Sequence, residues 1–407
     1  MNGSLYSRVM AFTNARLWKL AHIDVLLMVS LLLLISGGLV VLYSASGQRD
    51  DMVERQMFRL ALGFSACIAL AQLPPKYMRR ASPVLFLFAL SLLAAVLFFG
   101  VGAKGAQRWL ELPGGFRFQP SELMKIVMPM TVAWYFSDRH LPPKLKHILM
   151  VLFIIMLPVL MIAKQPDLGT SLLVAVSGIF VLFLAGLQWR YIIGAFALAP
   201  LAGFSLWQVM HSYQKQRVLT FLNPESDPLG SGWNIIQSKT AIGSGGVYGK
   251  GWLEGTQAQL DFLPESHTDF IIAVLAEEFG MVGCITLLVA YLLIIARGLY
   301  ISTMAEDNYA RLLAGSLTLT FFVYLFVNIG MVSGLLPVVG VPLPLVSYGG
   351  SSLLVSCTML AVILRIDYEL KKSRFDMSAT RAKGKSNTSD DAANKRSNER
   401  VQQKVHV

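Results

Sequence analysis

The stretch HSYQKQRVLTFLNPESDPLGSGWNIIQSKTAIGSGGVYGKGWLEGTQAQLDFLPESHTD, from His211 to Asp269, decides the fold, because it is the one long segment too polar to sit in lipid. Apolar runs of membrane-spanning length lie on both sides of it. A loop of this length without regular structure of its own is usually functional or disordered. Tyr213, Trp233, Tyr248, Trp252 and Phe262 argue against disorder, which is poor in aromatics. The segment reads as a working surface and the rest of the chain as its support.

Composition points the same way. Of 407 residues, 55% are hydrophobic and 14% charged, whereas a soluble domain carries about 25% charged residues. Mean hydropathy is +0.57. The net charge of +11 does not mark a nucleic-acid binder, because Lys and Arg fall in short loops between apolar runs and in the tail. That is the positive-inside pattern of membrane proteins. Cys67, Cys284 and Cys357 stand alone within apolar runs and read as small buried hydrophobes, not disulfides or metal ligands.

A span needs about 20 apolar residues. Ten runs qualify, at roughly 25–43, 57–73, 83–101, 121–137, 148–163, 169–187, 191–210, 269–298, 309–335 and 350–367. The expected fold is an all-α integral membrane protein of ten transmembrane helices, with a long extracytoplasmic loop, 211–268, between helices 7 and 8. Ser44-Ala45-Ser46 after the first run resembles a signal-peptide cleavage site. The run exceeds a usual signal core and many spans follow, so an uncleaved first helix is expected. Arg8, Arg16, Lys19, Lys76, Arg79, Arg80, Arg139, Lys144, Lys146, Arg190, Arg297, Arg311, Lys371, Lys372 and Arg374 all fall on one face. That face is expected to be cytoplasmic and to hold both termini. The chain divides into a cytoplasmic tail at 1–24, a membrane domain at 25–370 and a basic tail at 371–407, expected to be disordered and close to anionic lipid.

One outer loop breaks the charge rule. Loop 102–120 carries Lys104, Arg108 and Arg117. Either a few charges in one loop do not set topology, or they bind an anion. The glycine-rich GSGGVYGKG at 243–251 is not a nucleotide loop, because it lacks the Walker spacing and has no strand before it.

Ionisable groups at membrane depth are costly and are functional candidates by default. Glu122 and Lys125 share one face at the start of the fourth run, where they are either a surface pair or a cavity pair. Asp167 precedes the sixth run and would serve as an N-cap whatever the chemistry. Glu277 and Glu278 enter the eighth run about 100° apart, so they point in different directions and could satisfy neighbours in the bundle. Asp269 opens that run, as a first-turn acid favoured by the helix dipole or as the acid to which the whole polar loop leads. The run is about 45 Å long as a straight helix, more than the hydrocarbon core, and Gly280 is a plausible bend. Asn328 lies inside the ninth run. Between the ninth and tenth runs, Pro337, Gly340, Pro342, Pro344, Gly349 and Gly350 oppose helix, which predicts a re-entrant or cavity-lining segment.

The Ser347-Tyr348-Gly349-Gly350-Ser351-Ser352 ending of that segment resembles the signature of the SEDS family (shape, elongation, division and sporulation). Other motifs match in order: Tyr43-Ser44-Ala45-Ser46, Lys104-Gly105-Ala106-Gln107-Arg108-Trp109, Arg117-Phe118-Gln119-Pro120-Ser121-Glu122, Gln165-Pro166-Asp167-Leu168-Gly169 and Leu263-Pro264-Glu265-Ser266-His267-Thr268-Asp269-Phe270. The resemblance covers nearly the whole chain except its tails. Gln237-Ser238-Lys239 and Gly249 to Gln257 are more like the elongation branch than the division branch, while the extended tail after Lys371 departs from the shorter ending of that branch.

The resemblance implies a peptidoglycan glycosyltransferase of the bacterial inner membrane. Its substrate would be lipid II, joined with inversion to a lipid-linked glycan strand with release of undecaprenyl pyrophosphate. The implied partners are a class B penicillin-binding protein and other elongation-complex proteins, with no nucleic acid. Asp269 matches the family's essential carboxylate and is assigned as base. Lys104, Arg108, Arg117, Arg217 and Lys239 are outer-face cations for the pyrophosphate, and Glu122, Lys125, Asp167, His267 and Ser347 are carried over as further substrate-cavity residues. No cofactor follows from the sequence. A divalent cation, Mg or Mn, would suit the pyrophosphate, but no ligand cluster marks one. A lipid II flippase is the alternative from another class, and it would make no polymer. No inverted repeat of the transporter kind is visible.

Overall fold

The computed structural model describes residues 24–103, 106–112, 116–210, 212–226, 231–260 and 262–374. Helices dominate, and each expected apolar run falls on one of them. They are α1 (Val25–Ala45), α2 (Asp50–Leu70), α3 (Pro75–Phe99), α4 (Pro120–Phe136), α5 (Leu145–Lys164), α6 (Leu168–Leu184) and α7 (Trp189–Val209) before the polar stretch. After it come α11 (Ile271–Met304), α12 (Asn308–Val332) and α13 (residues 351–374). Among the described residues, α1, α3, α5, α11 and α12 are long and apolar enough to cross a membrane; α6 is apolar but shorter.

The expectation of an all-α chain needs one correction. Loop 102–120 folds into a small antiparallel sheet of β1 (Val101–Ala103), β2 (Ala106–Leu112) and β3 (Phe116–Phe118). Val101 pairs with Trp109, and Glu111 with Arg117.

The polar stretch also has more regular structure than its composition suggested. It forms α8 (Ser212–Leu222), a 3₁₀ turn (Pro224–Ser226), α9 (Ser231–Gly245) and the single turn α10 (Thr256–Gln259). Helix α9 packs on α11, and Ser238 Oγ donates to Val332 O at the end of α12. The loop is therefore held on the bundle.

Helices α4, α6, α11 and α12 form the centre. Helix α4 packs on α3, α6 and α12, and α11 packs on α12 and α1. Nearly every residue of α4 is buried. Helix α7 stands at the margin, with almost all its described side chains exposed and no element packed extensively against it. A helix that is apolar all round suits lipid on every side.

At the basic end of the bundle, Asp24 caps α1 by accepting from the Leu27 amide and pairs with Arg297 of α11 at 2.7 Å and Lys371 of α13 at 3.0 Å. Burial alone would raise the Asp24 carboxyl. The Arg297 guanidinium and the Leu27 amide outweigh it and hold the carboxyl below its usual value. Helix α13 continues to residue 374, so the first residues assigned to the basic tail are helical. The tails at 1–23 and 375–407 lie outside the described residues.

Candidate active site

A polar cavity of about 480 Å³ opens among β2, α4, α6, α12, the turn before α11 and the 338–352 segment. Asp269 is on its wall, half-buried, in the turn that ends at the helix cap Phe270. It is not a first-turn acid, because α11 begins only at Ile271. Asn328, fully buried in α12, donates to the Asp269 carbonyl at 2.9 Å and the Val341 carbonyl at 2.7 Å. One amide thus fixes the Asp269 backbone against the irregular segment. Ser347 adds a second tie: its hydroxyl donates to Thr268 O and accepts the Leu343 amide at 2.9 Å. Tyr348 N donates to His267 O at 2.9 Å.

The 334–350 segment is non-helical, as its prolines and glycines predicted, and it lines the cavity at Val338 to Pro342 and again at Tyr348 to Gly350. Irregular backbone at this depth survives where protein or a polar cavity covers it. Ser347 and His267 therefore shape the cavity without lining it. The His267 ring meets Tyr348 edge-on at 5.9 Å, and Tyr348 is on the wall.

Glu122 and Lys125 are buried and ion-paired at 2.6 Å on the cavity wall. They are not a surface pair. The Lys125 ammonium also lies 5.2 Å from the centre of the Tyr324 ring. Breaking a buried pair leaves an uncompensated charge, so the two stand or fall together. Asp167 does two jobs at once. Its Oδ1 accepts the Thr170 amide at 3.2 Å, capping α6, and its Oδ2 accepts from Gln119 at 3.1 Å. Arg108 lies 3.7 Å from the same Oδ2 and donates to Pro166 O at 2.8 Å. The sheet, the start of α4 and the start of α6 are thereby clamped around the acid.

Of the outer-face cations, Arg108 and Arg217 line the cavity. Lys239 does not: it is exposed on α9, beside Gly334. That α9 leaves Lys239 off the cavity lining is something sequence spacing cannot show. Lys104 lies outside the described residues, and Arg117 is described only as the backbone partner of Glu111 in β3. Trp109, Gln119, Thr170, Glu265, Thr268 and Tyr324 also line the cavity but were not singled out as site residues from the sequence. For Trp109 the signal was its place at the end of the Lys104–Trp109 motif; for Tyr324, one of several aromatics in an apolar helix, there was none.

Glu277 and Glu278 are elsewhere. Both are buried in α11, Glu277 paired with Lys250 of the glycine-rich loop and Glu278 accepting from Ser44 of α1. Among the described residues no three His, Cys, Asp or Glu side chains group as metal ligands. A divalent ion here would have to take most of its ligands from substrate phosphates, as Mg commonly does.

The sequence profile of the cell cycle protein family that groups FtsW, RodA and SpoVE matches residues 24–372. The peptidoglycan glycosyltransferase MrdB of Escherichia coli (strain K12) is 53% identical over 350 residues, 86% of this chain and 94% of that protein. A solved structure described as the coordination of polymerization and crosslinking by a peptidoglycan synthase complex superposes with a TM-score of 0.76 at 31% identity, covering 85% of this chain and 98% of that one. The crystal structure of the rod shape determining protein RodA of Thermus thermophilus superposes at 0.64 with 28% identity, covering 84% and 96%.

Proposed function

Because the chain belongs to the FtsW/RodA/SpoVE family of cell cycle proteins, we propose that it is the elongation-type peptidoglycan glycosyltransferase of a bacterial inner membrane, polymerising lipid II for rod-shape maintenance. The observation that carries this is the polar cavity, whose lining brings the half-buried Asp269 together with Arg108, Arg217 and a segment of irregular backbone. An inverting transfer from a lipid pyrophosphate needs that pairing of base and cations.

In the proposed reaction Asp269 takes the proton of the 4-hydroxyl of the incoming lipid II. The hydroxyl oxygen attacks C1 of the lipid-linked strand from the face opposite the pyrophosphate. The C1–oxygen bond to pyrophosphate breaks, and undecaprenyl pyrophosphate leaves with both electrons. Arg108 and Arg217 stabilise the charge that gathers on it. Glu122 with Lys125, and Asp167 with Gln119, hold the cavity's shape in this reading. Lys104 and Arg117 remain candidates for the same anion by their place in the loop.

The finer architecture belongs to the proposal too: ten spans on α1–α7 and α11–α13, the 211–268 loop outside the cytoplasm, and both termini inside. A cytoplasm-dependent reporter should be active when fused after Lys372 and silent when inserted near Asp227; the opposite pattern would put Asp269 on the wrong face. The proposed partner is a class B penicillin-binding protein, which would crosslink the strands. The decisive experiment is purified protein in detergent with labelled lipid II, with and without such a partner. Glycan polymer is expected; no polymer in detergent, together with transbilayer movement of lipid II when the same protein is placed in lipid vesicles, would replace this reading by a flippase.

A further inference from the structure

We propose that Glu277 is a positioning residue for the transfer. With Lys250 it latches the outer arm of α11 across a break in that helix, and so determines where Asp269 stands. The inference rests on the reading of Asp269 as base.

Residues 271–279 form a short outer arm of α11, with the Asp269 turn at its tip. The arm is not a simple continuation of the membrane helix. Gly280, at φ 62° and ψ −157°, is non-helical and breaks the ladder. Helical continuity therefore cannot set the direction of the arm, and something else must.

That something is the glycine-rich loop after α9. Its backbone takes over the hydrogen bonds that the break sets free. Lys250 N donates to Glu277 O at 2.9 Å and Gly251 N to Glu278 O at 3.1 Å. On the other side of the break, Met281 N donates to Gly246 O at 3.0 Å and Val282 N to Val247 O at 3.1 Å. The loop approaches so closely that only glycine fits. A Cβ on Gly280 would strike the Gly249 nitrogen and the Val247 carbonyl, and one on Gly249 would strike the Glu278 carbonyl.

The Glu277 side chain closes the latch. It is fully buried. Its Oε1 accepts from Lys250 Nζ at 2.7 Å, Thr256 Oγ1 at 3.0 Å and Thr256 N at 2.9 Å. The Gln257 amide reaches both carboxylate oxygens at 3.2 Å. Charge-assisted bonds of this kind are about twice as strong as neutral ones. Glu278 faces the other way and accepts from Ser44 of α1, whose hydroxyl also takes Gln259 Nε2 at 3.1 Å. The same loop then runs on to Ser266, which donates to Ala45 O at 2.9 Å, and to Asp269. The latch thus holds both the arm beneath Asp269 and the chain leading into it. Glu277 is not among the residues lining the cavity, so it acts only through position. A shift of about 1 Å in a reacting group can cost on the order of 100-fold in rate.

The test uses full-length protein in detergent with labelled lipid II, reading kcat, KM and melting temperature for Glu277→Ala, Glu277→Gln, Lys250→Met, Asp269→Asn and the Glu277→Ala/Asp269→Asn double variant. Glu277→Ala should lower kcat by about 10-fold or more with KM changed less than about 2-fold, because the cavity cations are untouched. Glu277→Gln should recover much of that loss, since its carbonyl still accepts the Thr256 and Gln257 amides. In the double variant the two losses should not multiply, the mark of residues that act as a unit. A folded Glu277→Ala with wild-type kcat, beside an impaired Asp269→Asn, would sink the latch alone. So would fully multiplicative losses, or equal losses in Ala and Gln. If Asp269→Asn turns over normally, the base assignment is what fails. Should Glu277→Ala not fold, Lys250→Met takes its place with the same kcat-without-KM expectation, and a wild-type kcat there overturns the proposal.

Discussion

Asp269 and Glu277 stand at opposite ends of the short arm of α11 before Gly280, and both are acids at the edge of or within an apolar run, where charge is a functional candidate by default. Their surroundings differ in kind. Asp269 is half-buried on the wall of a cavity of about 480 Å³ beside arginines and a polar backbone segment. Glu277 is fully buried, and a lysine, a hydroxyl and two amides converge on its carboxylate. A carboxylate enclosed away from the cavity cannot reach a substrate proton, but it can hold two segments together. The difference teaches that depth in the membrane selects candidates, while the space left around a side chain separates chemistry from architecture.

The sharpest way to break this comparison is Asp269→Asn. The replacement has the same shape and cannot act as base. Polymer formation should fall by about 100-fold or more, the scale of lost acid–base catalysis, with a near-normal melting temperature. A purely capping role predicts no such loss, because Asn caps about as well as Asp. Normal polymerisation by this variant would transfer the search to Glu122 or Asp167.

Arg108→Ala comes next. Losing one charge-assisted contact to pyrophosphate costs about 1.5–3 kcal/mol, which is about 10- to 150-fold in rate. Part of the effect should appear in Asp167, whose Oδ2 the arginine approaches, so a loss of melting temperature here would assign Arg108 to the clamp instead of the ligand.

Gly280→Ala attacks the other end of the arm. It adds both a positive-φ penalty and a collision with the docked loop, so the melting temperature should drop by several degrees, the scale of a loss of about 1–3 kcal/mol. An unchanged melting temperature would mean that the break and its loop do not depend on glycine. The smallest effect is expected from Lys239→Ala, which should polymerise within about 2-fold of the unmodified protein, as exposed charges away from a site usually do. A large loss there would show that α9 joins the cavity during turnover.

Much of this molecule was legible before any coordinates. Apolar runs predicted a mostly helical membrane protein, and among the described residues five helices are long and apolar enough to span, because lipid forces every backbone polar group to be satisfied within its own segment. Prolines and glycines after Asn328 predicted a non-helical cavity wall, and Gly280 predicted the bend. The carboxylates and the Glu122–Lys125 spacing were visible as charges in apolar surroundings, and motif resemblance singled out Asp269 among them. Other features were not legible for stated reasons. The small sheet hid in strands of three, seven and three residues between two long helices. The polar stretch looked irregular because its main helix, α9, owes its stability to packing on α11, not to a periodic apolar face of its own.

What only the tertiary structure decided is which polar groups meet. The glycines of 243–251 could have served many ends in the sequence, and their role as a splint appears only once Gly280 is seen opposite them. Lys239 and Arg217 were equivalent cations on one loop until the fold put one at the cavity and the other on an exposed helix. The physical reason is the same in each case. Local sequence determines how a segment satisfies its own backbone and how well it tolerates lipid, both short-range matters. The value of a charge depends on what lies within a few ångströms of it across the bundle, because Coulomb and hydrogen-bond energies fall off over that distance.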